Sequence, residues 1–130
     1  MLTIHPYMNF NGNCLEAFEF YKSVFGGEFP YVGFFKDMPQ DAGHPLPEHL
    51  KNMVMHMSLP ICENNTLMGS DVAEEFGQKA VFGNNINLMI SVDTKAEADA
   101  IWAKLGVGGT VTMPLEDAFW GDYFGALIDK

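Results

Sequence analysis

What most constrains this chain is a pattern that runs once and then restarts. Leu2 to Phe10 alternates as a strand, and Asn13 to Phe25 carries Ala17, Phe18, Phe20, Tyr21, Val24 and Phe25 at helical spacing. Asn13 with Glu16 makes a capping-box-like start, and Gly26-Gly27 a stop. Glu28 to Lys36 reads as a second strand. Asp37 to Asn52, broken by Pro39, Gly43, Pro45 and Pro47, reads as a loop. Met53 to Leu59 and Thr66 to Asp71 read as strands joined by the turn Glu63-Asn64-Asn65, and Val72 to Asn85 as a crossover of undefined form. The pattern then begins again: Ile86 to Val92 alternates as a strand, and Thr94 to Leu105 is helical, opened by Thr94-x-x-Glu97 and closed by Gly106. Glu16-Ala17 and Phe20-Tyr21 recur as Glu97-Ala98 and Ile101-Trp102, so a unit of strand, helix and three strands is written twice.

Strand parity supports the same pairing without relying on residue identity. Ile4, Met8 and Phe10 alternate with His5, Tyr7 and Asn9. Met53, Met55, Met57 and Leu59 alternate with Val54, His56 and Ser58, and Ile86, Leu88, Ile90 and Val92 with Asn87, Met89 and Ser91. Successive strand side chains point to opposite faces. The apolar parity therefore belongs under the helices, and the other parity lines a concave face suited to a ligand. The nine methionines fit an adaptable core.

Charge narrows the function classes. Seven Lys plus Arg against seventeen Asp plus Glu give a net charge of -10, which argues against nucleic acid or an anionic membrane as partner. No run approaches a membrane span, and the first ten residues show no basic segment ahead of an apolar one, so a cytoplasmic location is expected. Cys14 and Cys62 lack Cys-x-x-Cys spacing and fit reduced structural thiols. His44 and His49, with Glu48 among prolines, read as a solvated loop cluster.

The stretch Pro6-Tyr7-Met8-Asn9-Phe10-Asn11-Gly12-Asn13-Cys14-Leu15-Glu16-Ala17-Phe18-Glu19-Phe20-Tyr21, followed by Val24-Phe25-Gly26-Gly27, Val54-Met55-His56, Leu67-Met68-Gly69-Ser70-Asp71 and Phe119-Trp120-Gly121, resembles PhnB-like proteins over nearly the whole chain. That branch, also described as 3-demethylubiquinone-9 3-methyltransferase-like, is similar to the vicinal oxygen chelate superfamily of glyoxalase I, extradiol dioxygenases and bleomycin and fosfomycin resistance proteins. The resemblance implies an α+β fold: two βαβββ modules in a curved mixed sheet, one glyoxalase-like domain over 1–130, with module 1 about 1–71, a crossover over 72–85 and module 2 about 86–130. Measured against the first module, the second is short of its last strand, and a partner chain is one way to cover the edge so exposed. Superfamily members pair modules across a two-fold axis, so a homodimer is expected.

For chemistry, the resemblance places His5 at the first metal-ligand position of the superfamily, His56 at the second and Asn87 at the third, with no counterpart for the fourth. Catalytic zinc-type sites use three protein ligands. Asn87 is a poor donor to a transition metal, so no resident metal or other cofactor is expected and the catalytic residues are unassigned. His5 and His56 on one face are compatible with ligands, a general base pair or caps on buried carbonyls. Phe119-Trp120 either lines the pocket or closes the core. The expected ligand is a small polar or aromatic metabolite bound by His5, Tyr7, Asn9, His56, Ser58, Asn87 and Trp120. The alternatives are a divalent-metal lyase, isomerase or dioxygenase, an antibiotic-sequestering protein, and an interaction module with an open sheet edge.

Overall fold

The computed structural model describes residues 1–39 and 45–130, which divide into two compact units, Met1–Gly83 and Asn84–Lys130. The first unit runs β1 (Tyr7–Phe10), α1 (Cys14–Phe25), β2 (Tyr31–Phe34), β3 (Val54–Cys62) and β4 (Asn65–Asp71), the βαβββ order expected for the first module. The strands form one mixed sheet in the order β1-β4-β3-β2, with β1 parallel to β4 and the other pairs antiparallel. β1 is shorter than the expected Leu2–Phe10. Pro6 has no N–H to continue the ladder, although its carbonyl accepts from the Met68 N–H, and Leu2 and Ile4 lie exposed before it.

Helix α1 covers the apolar face. Cys14, Phe18 and Val24 are buried along one stripe, and the Phe18 ring meets Phe10 edge-on at 6.3 Å. Phe18 also lies over Gly69 on β4, where a Cβ would come within 2.8 Å of both the ring and the Met8 carbonyl, so only glycine permits this approach. The helix ends as expected at Gly26, with φ +80°.

Its start differs from expectation. The Asn13 side chain makes no cap. Instead Asp71, at the end of β4, accepts from the Gly12 N–H at 2.9 Å and the Cys14 N–H at 3.0 Å through Oδ1, and from the Val54 N–H at 2.9 Å through Oδ2. One carboxylate, 3 % exposed, thus caps α1 and ties β3 to β4. A longer-range acceptor with three donors outcompetes a local asparagine.

The expected parity of β3 also needs correction. Met57 and Leu59 are fully buried, as expected, but Val54 is the core residue further down the strand and Met55 is not. The β2–β3 register steps from Gly33↔His56 to Phe34↔Val54, leaving Met55 as an extra residue. A bulge of this kind reverses which parity faces the core.

The second unit carries α2 (Lys95–Leu105), β5 (Thr110–Asp117) and β6 (Tyr123–Ile128), the two strands pairing antiparallel with each other. The capping box at its start forms as expected, with Thr94 Oγ1 accepting from the Glu97 N–H at 3.1 Å. The strand expected at Ile86–Val92 does not form: the segment has no ladder partner, and Ile86, Leu88 and Ile90 are all exposed. The fold is α+β, but this unit shows a helix and a hairpin rather than a second βαβββ. No described residue of it is fully buried. Among the described residues no helix is long and apolar enough to cross a membrane.

Candidate functional site

The site lies on the face of the four-stranded sheet opposite α1. The pairings Tyr7↔Met68, Ser58↔Met68 and Tyr31↔Ser58 set one row of side chains across all four strands. The next row contains Asn9↔Ser70 and Gly33↔His56. Tyr7, Asn9, His56 and Ser58 therefore do share a face, as the alternation predicts.

His56 is held between two tyrosines. Its Nδ1 is 3.1 Å from the Tyr7 hydroxyl, with the rings stacked at 5.6 Å and 22°, and the Tyr31 ring lies 5.9 Å away on β2. His5 is occupied elsewhere: its Nδ1 accepts from the Thr66 N–H at 3.2 Å. The two histidines have no hydrogen-bond partner in common, and no group of three His, Cys, Asp or Glu able to hold an ion exists among the described residues. The donor set does not fit the superfamily's metal. His5 and His56 each use Nδ1, and Asn87 stands on the exposed segment of the other unit, which has no ladder partner.

Beyond this histidine row the same face opens into a cavity of about 530 Å³, a size suited to a small organic molecule. Asn9, Met55 and Ser70 form its sheet side, and Phe35, Met38, Phe76 and Gln78 its rim. Met55 reaches it because of the bulge. The Ser70 hydroxyl, nearly buried, donates to Asn9 Oδ1 at 3.2 Å. The rim is built from short 3-10 turns at Phe35–Asp37 and Glu74–Phe76, whose rings Phe35 and Phe76 meet at 5.0 Å. Two polar ties brace it. Asn11 exchanges two hydrogen bonds of 2.9 Å with the Ala80 backbone, and His49 Nε2 lies 2.7 Å from Glu75 Oε1. Glu75's own backbone, then His49, lowers its carboxyl below the usual range. His49, read as solvated, thus has a partner, while His44 lies outside the described residues.

Of the seven residues expected to bind the ligand, Asn9 alone lines the cavity. Tyr7, His56 and Ser58 sit beside it on the sheet, and His5 binds the Thr66 backbone. Asn87 and Trp120 belong to the second unit, where the Trp120 indole donates to Asp122 Oδ2 at 2.7 Å beside the Phe119 ring. Ser70 was missed although it stands opposite Asn9 in register, a pairing that parity alone makes available. Cys14 is no nucleophile: burial first, and the Asp71 charge second, push its thiol up to about 12.

These features define an α+β protein with a βαβββ sheet, a helix on one face and a ligand-sized cavity on the other. The chain belongs to the family described as 3-demethylubiquinone-9 3-methyltransferase, whose profile matches residues 2–127, and is a PhnB-like, glyoxalase-like member. It is similar to protein PA1353 from Pseudomonas aeruginosa, with 37% identity and a TM-score of 0.78 over 100% of this chain and 91% of that one. Protein YjdN of Escherichia coli strain K12 is 25% identical, over 99% of this chain and 89% of its own. The fold also matches a putative 3-demethylubiquinone-9 3-methyltransferase, PhnB protein, from Bacillus cereus, at 24% identity and a TM-score of 0.74, covering 99% of this chain and 92% of that one.

Proposed function

We propose that this protein binds a small polar or aromatic metabolite on the open face of its first sheet, in the vicinal oxygen chelate manner but without a metal at the centre. The observation that carries the reading is the 530 Å³ cavity, which combines apolar walls with the adjacent polar pair Asn9 and Ser70. His5 accepts a backbone N–H at Nδ1, which places its proton on Nε2, and no three-donor cluster of His, Cys, Asp or Glu exists among the described residues; both favour a metal-free pocket over a divalent-metal lyase, isomerase or dioxygenase. Methyl transfer, named in the family's description, has no matching feature in the sequence, where no glycine-rich nucleotide-type loop follows a strand.

The working assembly in this reading is a homodimer in the cytoplasm. Its support is the alternating segment Ile86–Val92, whose Ile86, Leu88 and Ile90 are 82%, 58% and 46% exposed with backbone groups open to another strand.

Ligand-detected NMR against a metabolite mixture tests the binding function. Hits with the wild type that vanish in Asn9→Trp, which fills the cavity from an exposed position, support it. Hits unaffected by Asn9→Trp contradict it. An antibiotic-sequestering role would appear as drug hits without turnover. One equivalent of zinc, nickel or manganese held by the wild type and lost in His5→Ala/His56→Ala would restore the lyase reading.

A further inference from the structure

Charge and shape in the cavity point to the class of its ligand, an inference that rests on the cavity being the binding site. Among the described residues that line the cavity, Asp71 is the one charged group, and its carboxylate is engaged by backbone donors. Asn9, Ser70 and Gln78 offer amide and hydroxyl groups, and Phe35, Phe76 and Met55 offer aromatic and thioether surface. None of the seven lysines lines it, and the sequence contains no arginine. Lys22 pairs with Glu28 at 3.1 Å, Lys36 reaches Asn52 at 3.2 Å, and Lys51 pairs with Glu48 at 2.8 Å. Lys79 lines a separate depression of about 330 Å³ beside His49 and Glu75.

Acidic groups outnumber basic ones in the segments that form the cavity. Asp71 borders it with a carboxylate whose oxygens are taken by three backbone N–H groups, and Glu74 and Glu75 flank Phe76 on the rim. An anion entering here would lose water and meet no cation among the described lining residues, a cost that uncharged groups avoid. The polar edge suits a neutral amide instead. Ser70 donates to Asn9 Oδ1, which leaves the Asn9 amide NH2 to donate and the Ser70 oxygen lone pairs to accept, matching one acceptor and one donor. The Phe35 and Phe76 rings at 5.0 Å, with the flexible Met55, suit a flat aromatic body.

We infer that the cavity takes an uncharged, flat aromatic ligand bearing an amide-like edge, and turns away anions such as carboxylates and phosphonates. The probes are 2-naphthamide and 2-naphthoate, nearly equal in shape and different in charge, titrated by fluorescence into the full chain at neutral pH. The amide should bind at least about tenfold more tightly, a difference of about 1.4 kcal/mol. Gln78→Lys, an exposed rim change, should shrink that preference to about threefold or less by supplying the missing cation. Ser70→Ala should weaken the amide and leave the naphthoate unchanged. Equal or tighter binding of naphthoate by the wild type overturns the charge inference while leaving the cavity as the binding site. If neither probe binds, both the cavity reading and the inference built on it fall.

Discussion

The two units carry amphipathic helices of similar length, yet only the first has a core of its own. Helix α1 places Phe18 and Cys14 into a sheet of four strands, while α2 accompanies a single hairpin with no fully buried residue. The difference lies in what the helix is given to cover. Four paired strands make a continuous apolar face, closed further by Gly69 and the Asp71 ties. Two strands do not, and apolar residues such as Val111, Met113 and Ile128 stay exposed. A repeated sequence pattern therefore specifies repeated elements without guaranteeing two self-sufficient modules.

Four predictions follow that comparison from its largest consequence to its smallest. Phe18→Ala should remove about 4 kcal/mol of stability in urea unfolding, because it opens a cavity where the helix places its fully buried aromatic ring. A loss near 1 kcal/mol would mean that the first unit's core is not the stabilising one. Asp71→Ala should cost about 3 kcal/mol by leaving three backbone donors short of their acceptor, two of them at buried sites, while Asn13→Ala should cost under about 0.5 kcal/mol. Equal effects would return the cap to Asn13.

The second unit should respond differently. Leu88→Ser should change stability by no more than about 0.5 kcal/mol at dilutions where the chain is monomeric, and raise the dimer dissociation constant about tenfold in sedimentation equilibrium. Unchanged association would show that Ile86–Val92 is not the covered surface. The smallest effect concerns Cys14, whose thiol is raised from 9.0 to about 12. Because the folded value lies above the unfolded one, its contribution to stability is complete below pH 9 and is lost as the pH rises toward 12. At pH 8 a maleimide should label exposed Cys62 and spare Cys14 until the chain unfolds.

Much of the first unit was legible because its signals are local. Alternation in Tyr7–Phe10, the helical stripe at Cys14–Phe25 and the turn at Glu63-Asn64-Asn65 each need only neighbouring residues to be read. What escaped depends on distance or on a single inserted residue. The Asp71 cap acts across 57 positions to reach Cys14. The bulge at Met55 shifts parity by one residue, which places Met55 in the cavity wall and Val54 in the core. Ile86–Val92 has a strand's alternation, but alternation describes two faces and supplies no hydrogen-bonding neighbour. The candidate site was legible as a face, through Tyr7, Asn9, His56 and Ser58. The cavity's place on that face depends on the rim turns Phe35–Asp37 and Glu74–Phe76, which no periodicity announces.

The central claim is that ligand binds in the first unit's cavity rather than along a histidine row or beside the second unit's Asn87 and Trp120. A 15N-1H NMR titration of the full chain with 2-naphthamide tests it most directly. The account predicts saturable shifts concentrated at Asn9, Met55, Ser70, Phe76 and Gln78, with His5, Asn87 and Trp120 unmoved. Shifts centred on Asn87 and Trp120, or on His5, with Ser70 and Gln78 silent, would contradict it.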